Sequence, residues 1–273
     1  MSSPLPPALL LVFAAPLFAV DLSKIPPPQD PIPAPPPPLA AWTVQHDSEK
    51  PDLGADPTAL AVSPTATLAV KETRIVRGPN NKRISRHWSD GSTTTQWYCK
   101  GATLYEQRGM DDVYIFTPQD LTDRFSFIPN YSLGDFPEIQ WVSRDHYSGP
   151  ELYKGRPCYV FKLRAGKVTD AQELLRMERV GLAAAVAAAV AQNLDPQAAG
   201  RHRQLKPIDP NAIIKIAYLD VKTRLPVAHV NYGKTSEYTM VEPPTAEPQP
   251  PERFLTALRR YISSTNAPTA PPR

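Results

Sequence analysis

The residues that could do chemistry are few and scattered. The five histidines are His46, His87, His146, His202 and His229. No two stand at the i, i+4 spacing that lays a pair of imidazoles on one side of a helix around a metal ion. The sequence therefore predicts no metal site. Cys99 and Cys158 are the two cysteines, too few for a four-thiolate zinc site or a disulfide-dense scaffold. They fall in predicted strands. In an oxidising compartment they could pair, with an upper gain of ~4 kcal/mol, or remain two buried thiols. Both readings stay open, because strand register is not legible and a bridge requires Cα atoms within ~7 Å. Asp111-Asp112, and Asp120 with Asp123, are carboxylate pairs in turn-like contexts, which suits solvated turns better than an acid–base couple. No Gly-x-Ser-x-Gly turn, phosphate loop or dinucleotide fingerprint occurs. The sequence assigns no catalytic residue and no cofactor. Binding is the chemistry that remains.

The composition narrows what could be bound. The chain has 273 residues, 41% hydrophobic and 21% charged, with a net charge of +3. Near balance of charge makes no electrostatic case for nucleic acid. Of the 34 prolines, sixteen fall in residues 1–64 and eight in 243–273. The ends therefore read as extended and the middle as one globular domain.

Ala8 to Val20 is an uncharged apolar run of thirteen residues. A bilayer span takes ~20, and the length suits the core of a secretory signal peptide. Residues 1–19 are expected to be that signal, with Ala19 at the cleavage position. Uncleaved, the same run would tether the chain to a membrane. Residues 20–64 are expected to be a proline-rich linker. Its run IPPPQDPIPAPPPP over 25–38 favours a stiff polyproline II spacer. A docking motif for an aromatic groove is the other reading of that run.

From residue 65 the texture becomes that of a sheet. Short runs rich in Val, Ile, Thr, Tyr and Trp recur about every ten residues, separated by turn signals. Gly78-Pro79-Asn80-Asn81, Asp90-Gly91, Lys154-Gly155 and Tyr232-Gly233 mark turns. Asp135-Phe136-Pro137-Glu138 with Trp141-Val142 reads as a loop or short helix feeding a strand. Residues 168–211 interrupt the sheet with an alanine-rich helix over 171–194, opened by a Thr169-x-x-Gln172 capping box. Glu252 to Ser263 reads as an amphipathic helix with Phe254, Leu255, Leu258, Tyr261 and Ile262 on its apolar side. Residues 266–273 are expected to be a disordered tail.

Two segments carry a family resemblance. Lys100-Gly101-Ala102-Thr103-Leu104-Tyr105 followed by Val113-Tyr114-Ile115-Phe116 resembles a hairpin of the LolA/LolB-like outer-membrane lipoprotein-carrier superfamily. Tyr218-Leu219-Asp220-Val221-Lys222-Thr223-Arg224-Leu225-Pro226-Val227 resembles its strand–turn–strand motif. The resemblance spans about residues 65–262. It implies a mainly β fold with helices, in which a curved antiparallel half-open barrel is covered by helices. In such a fold an apolar cavity receives acyl chains. Arg83 or Arg86 could stand for the family's early arginine, while 168–211 reads as an insertion.

The expected cavity lining is Trp88, Trp97, Leu104, Tyr114, Phe116, Trp141, Phe161, Ile216, Tyr218 and Val227. Lys82, Arg83 and Arg86 beside Trp88 suggest a headgroup patch at Arg83 and Arg86. The reading is an exported, monomeric, non-enzymatic periplasmic protein that binds a lipid or an acylated lipoprotein and touches a membrane surface. Its rival is an interaction module with a packed core and no lipid, carried on a proline-rich stalk. An inner face filled by the chain's own aromatic side chains would favour the rival.

Overall fold

Alternation of apolar and polar residues, broken by tight turns, builds one antiparallel sheet of eleven strands. The computed structural model describes residues 21–47, 69–99, 102–106, 113–116, 135–169 and 209–265. The strands are β1 (Ala40–His46), β2 (Val70–Arg77), β3 (Asn81–Trp88), β4 (Thr93–Cys99), β5 (Ala102–Glu106), β6 (Val113–Phe116), β7 (Tyr147–Tyr153), β8 (Arg156–Arg164), β9 (Ile213–Asp220), β10 (Pro226–Asn231) and β11 (Lys234–Val241). Their order across the sheet is β6-β5-β4-β3-β2-β1-β11-β10-β9-β8-β7. The sheet is thus two meanders, β1 to β6 and β7 to β11, sewn together where β1 pairs with β11. Trp42 sits opposite Met240 in that seam. The sheet is open, with β6 and β7 at its edges.

The seam corrects the expected domain start. β1 lies inside the stretch read as linker over 20–64. The sequence AAWTVQH is a proline-free run between two proline-rich ones, and their composition hid it. It is a central strand, paired on both sides. The proline run before it is not a free spacer either. Arg224 donates to the carbonyls of Gln29 at 2.8 Å and Asp30 at 3.3 Å, and Arg77 donates to that of Pro37 at 2.9 Å. Ile25 and Ile32 pack on the core. Proline carbonyls keep their acceptor capacity although proline has no N–H, so a polyproline-like segment can be strapped down by arginines. After β11, Glu247 likewise accepts from the backbone N–H groups of Asn80 and Asn81, the latter at 2.8 Å. Its side chain occupies the space a Cβ on Gly78 would take.

The turns follow the sequence signals. Lys154 and Gly155 both have positive φ, at 50° and 81°, in the β7–β8 hairpin, the backbone of a two-residue loop whose twist matches its strands. In the β9–β10 turn, Asp220 Oδ1 accepts from the N–H groups of Lys222 and Thr223 and from the Thr223 hydroxyl. The Asp and Thr of the resemblance motif are therefore turn-building residues.

Among the described residues there is one α-helix, α1 (Glu252–Thr265). Phe254 and Leu258, one turn apart, bury against Trp97, Cys99 and Leu104. Among the described residues, helical cover is confined to α1 at the β4–β6 end of one face. The stretch read as a loop or short helix feeding a strand holds two short 3-10 turns, with Trp141 and Val142 between them, and leads into β7. The signal run over 1–19, the helix over 171–194 and the tail over 266–273 lie outside the described residues.

Cys99 and Cys158 are both free and buried. β4 and β8 have six strands between them. Seven inter-strand steps of ~4.8 Å make that separation about 34 Å along the sheet, beyond any disulfide. The pairing left open by the sequence does not form.

Candidate functional site

Strand register sorts the side chains onto two faces, because residues directly opposite each other point the same way. Trp42 and Val44 of β1 share a face with Ile75 of β2, Ile84 and Arg86 of β3, Gln96 of β4 and Tyr238 of β11. The same face takes Ala217 and Leu219 of β9, Tyr159 and Phe161 of β8, and Tyr147 of β7. We call it the inner face. Its middle is an apolar and aromatic patch, in which Trp42, Phe161, Ala217 and Leu219 are at most 1% exposed, and Arg77, Lys82, Arg86, His46 and His229 share the same face.

Among the described residues, its cover is short and irregular. Residues 135–146 cross it with two 3-10 turns, Pro137–Ile139 and Arg144–His146. Phe136 lies 5.1 Å from the Trp42 ring and meets Tyr238 edge-on at 6.1 Å. Ile139 is fully buried and Val142 nearly so. Trp141 donates its indole N–H to the Glu138 carbonyl at 3.1 Å, which closes the turn.

The cover also brings a carboxyl group inward. Glu138 as a residue is half-buried, but its carboxyl end is the deep part, 3.1 Å from the hydroxyl of Tyr238, which is itself 5% exposed. Burial raises the Glu138 carboxyl above its usual value, against the pull of that hydroxyl and of Arg86 and Lys82. Burial, then the neighbouring carboxyl, pushes the Tyr238 phenol well above its own. At the cover's start, Asp135 receives Arg77 at 3.0 Å and Lys82 at 3.7 Å. Burial lowers the Lys82 ammonium, and Asp135 counteracts it. Farther along β1, His46 lies between the hydroxyls of Ser236 (3.0 Å) and Thr73 (2.9 Å). Burial and then the charge of Arg86 bring it down to about 4, so it is neutral at physiological pH.

The expected lining residues do not share one surface. Phe161 and Trp88 belong to the inner face, and Trp88 donates to Thr94 Oγ1 at 3.0 Å. Trp141 belongs to its cover. Val227 is buried at the bulge between β9 and β10. Trp97 and Leu104 lie on the opposite, outer face beneath α1. Ile216 and Tyr218 are on the outer face too, half-buried, with the Tyr218 ring tilted against that of Tyr153 at 4.6 Å. The backbones of Tyr114 and Phe116 pair with Tyr105 and Thr103; their side chains lie outside the described residues. Arg83 and Arg86, three apart on one strand, point to opposite faces. Arg83 is exposed over Trp97 at 5.9 Å, while Arg86 turns inward to Gln96 at 3.0 Å. They cannot form one headgroup patch.

Sequence reading missed Trp42, Tyr159, Tyr238, Ile139 and the inward role of Glu138. Parity within each hairpin gives the facing of Tyr159 and of Tyr238 on its own strand pair, but only the β8–β9 and β1–β11 pairings bring them and Trp42 onto one face. Around the outer face, ion pairs mark a solvated surface at β7 to β11. Lys162 meets Glu151 and Arg156 meets Asp220, each at 2.7 Å, and Lys154 meets Glu237 at 2.6 Å.

No family model matches the chain, and no curated protein matches it. Among solved structures, the lipoprotein LppX of Mycobacterium tuberculosis aligns over 77% of this chain and 89% of its own, at 9% identity and a TM-score of 0.35. LprF of Mycobacterium bovis aligns over 78% and 90%, at 9% identity and a TM-score of 0.24. At these scores the similarity is loose, and the site rests on its own geometry.

Proposed function

We propose that the chain is an exported, non-catalytic, carrier-like protein that holds an acyl chain of a lipid or acylated lipoprotein against the inner face of its sheet. One observation carries this reading: among the described residues, the apolar and aromatic patch on the inner face is covered by a short irregular segment, 135–146. Burying Phe136 and Ile139 contributes roughly 3–6 kcal/mol, and each buried methylene about 0.8. About four to eight acyl methylenes on the same surface therefore replace the two side chains at no net cost. The inward carboxyl of Glu138 makes the hold of the cover depend on pH, since burial opposes its charge. The LolA-like resemblance and the apolar run Ala8–Val20 point in the same direction, towards an exported monomer that meets lipid.

The test is native mass spectrometry of protein purified without detergent from the cells that make it, followed by lipid extraction. A stoichiometric lipid-sized mass, lost on extraction, is the expected result. An unliganded mass, together with no uptake of a fluorescent fatty acid, overturns the reading.

A second reading has its own observation. Phe136, Ile139 and Trp42 already fill the middle of the inner face. An interaction module with a packed core and no lipid accounts for that filling, and the unliganded outcome selects it.

A further inference from the structure

Two segments lie on the inner face, and they run in opposite directions. The proline strap passes from the 3-10 turn Leu22–Lys24, which touches β7, to Ala40, where β1 begins. The cover passes from Asp135, beside Arg77 of β2 and Lys82 of β3, to Tyr147, where β7 begins. Each segment therefore has its root where the other has its far end.

Both junctions are tied. On the β1–β2 side, the Arg77 guanidinium donates to the carbonyls of Pro36 at 3.4 Å and Pro37 at 2.9 Å, and its Nε meets the Asp135 carboxylate at 3.0 Å. One side chain thus holds the root of the strap and the far end of the cover. On the β7 side, Arg144 near the root of the cover pairs with Asp30 of the strap at 2.8 Å. Between these ties, Ile25 and Ile32 of the strap pack on the same cluster as Phe136, Ile139 and Val142 of the cover.

Neither segment carries a backbone ladder of its own. Proline donates no N–H, and the strap's Ala34 N–H goes to the Arg224 carbonyl at 3.2 Å. The cover's bonds are those of single turns, from Ile139 N–H to the Phe136 carbonyl at 3.2 Å and from Val142 N–H to the Ile139 carbonyl at 3.0 Å. Segments with so few backbone bonds open locally at low cost unless contacts outside them hold them shut. Here those contacts are shared.

We propose that strap and cover form one clasp that opens and closes as a unit, so that the proline strap controls access to the inner face. Arg77 and the Arg144–Asp30 pair are its fastenings. Arg224, which donates to the carbonyls of Gln29 and Asp30 from the β9–β10 turn, fixes where the strap lies. Displacing either segment then uncovers the aromatic patch in one step. The inference follows from how the face is covered, not from what the face holds.

The experiment is amide hydrogen exchange on the full chain freed of lipid. Arg224→Gln removes the two bonds to the strap carbonyls and alters no residue of the cover. The expected result is several-fold faster exchange at Ala34 and, by the same factor, at Ile139 and Val142, while amides of the β8–β9 ladder keep the parent rate. Ile139→Val trims the cover from within and should speed Ala34 and Val142 together. This second variant decides the question if the first also loosens the β8–β9 ladder. Parent rates at Ile139 and Val142 in Arg224→Gln, or at Ala34 in Ile139→Val, overturn the proposal. No lipid enters the measurement, so the clasp and the acyl-chain reading can each fail alone.

Discussion

The hydroxyl of Tyr238 donates to the Glu138 carboxyl at 3.1 Å, and this bond pins the middle of the cover segment to the seam strand β11. It joins residues one hundred positions apart and sets a titratable group inside an otherwise aromatic contact.

Glu138 should therefore make the cover sensitive to pH. Its folded value is raised by burial, so its contribution to stability is full below the ordinary glutamate value. It is lost as pH rises through the raised value, when the buried carboxyl must ionise. Glu138→Gln keeps an acceptor for Tyr238 and removes the charge. Melting temperatures of the two proteins should coincide near pH 4, and the variant should melt higher at pH 8. Parallel curves across that range would contradict the assignment.

Asp220 should have the opposite sign. Burial pushes its carboxyl up, but Arg156 at 2.7 Å and the N–H and hydroxyl of Thr223 outweigh burial and hold it below the usual carboxylate value. Its contribution is present above the unfolded value and disappears as pH falls through the lowered one. Asp220→Ala strands two turn N–H groups and one guanidinium, at about 2–3 kcal/mol near neutral pH. Urea unfolding of variant and parent should show that gap at pH 7 and a smaller one under strong acid.

Trp42 should be the costliest single truncation. It is 1% exposed, packs on Phe136, and stands on the one strand that joins the two meanders. Trp42→Ala should cost about 3–5 kcal/mol. Thermal unfolding followed by far-ultraviolet circular dichroism reads it. A loss below about 1 kcal/mol would mean that the inner face collapses around the gap.

The two thiols should be inert in the folded chain. Both are buried, and burial pushes Cys158 up to about 11, against the pull of Arg156. Reaction with a thiol reagent at pH 8 should follow unfolding, releasing two equivalents only in denaturant. Rapid native labelling of Cys158 would show that the outer face opens there.

Much of the sheet was legible locally. The ten strands β2 to β11 lie in runs rich in β-branched and aromatic residues, bounded by Asp-Gly, Lys-Gly and Tyr-Gly turns whose chemistry is decided within a few residues. β1 was not legible, because proline on both sides dominated the composition around it. The site was less legible still. Trp97 and Phe161 each read correctly as strand aromatics, yet they point to opposite faces, and only the pairing of β1 with β11 relates the two meanders.

By itself, then, the sequence determined the local grammar of this protein: turns, strand runs and the amphipathic α1. Those properties depend on neighbours a few residues apart. Tertiary structure alone decided that β1 is the seam, that the proline strap is bound by Arg224 and Arg77, that Arg83 and Arg86 part company, and that Glu138 turns inward. Each of these depends on which strand lies beside which. A shift of one residue in register would send every side chain to the other face.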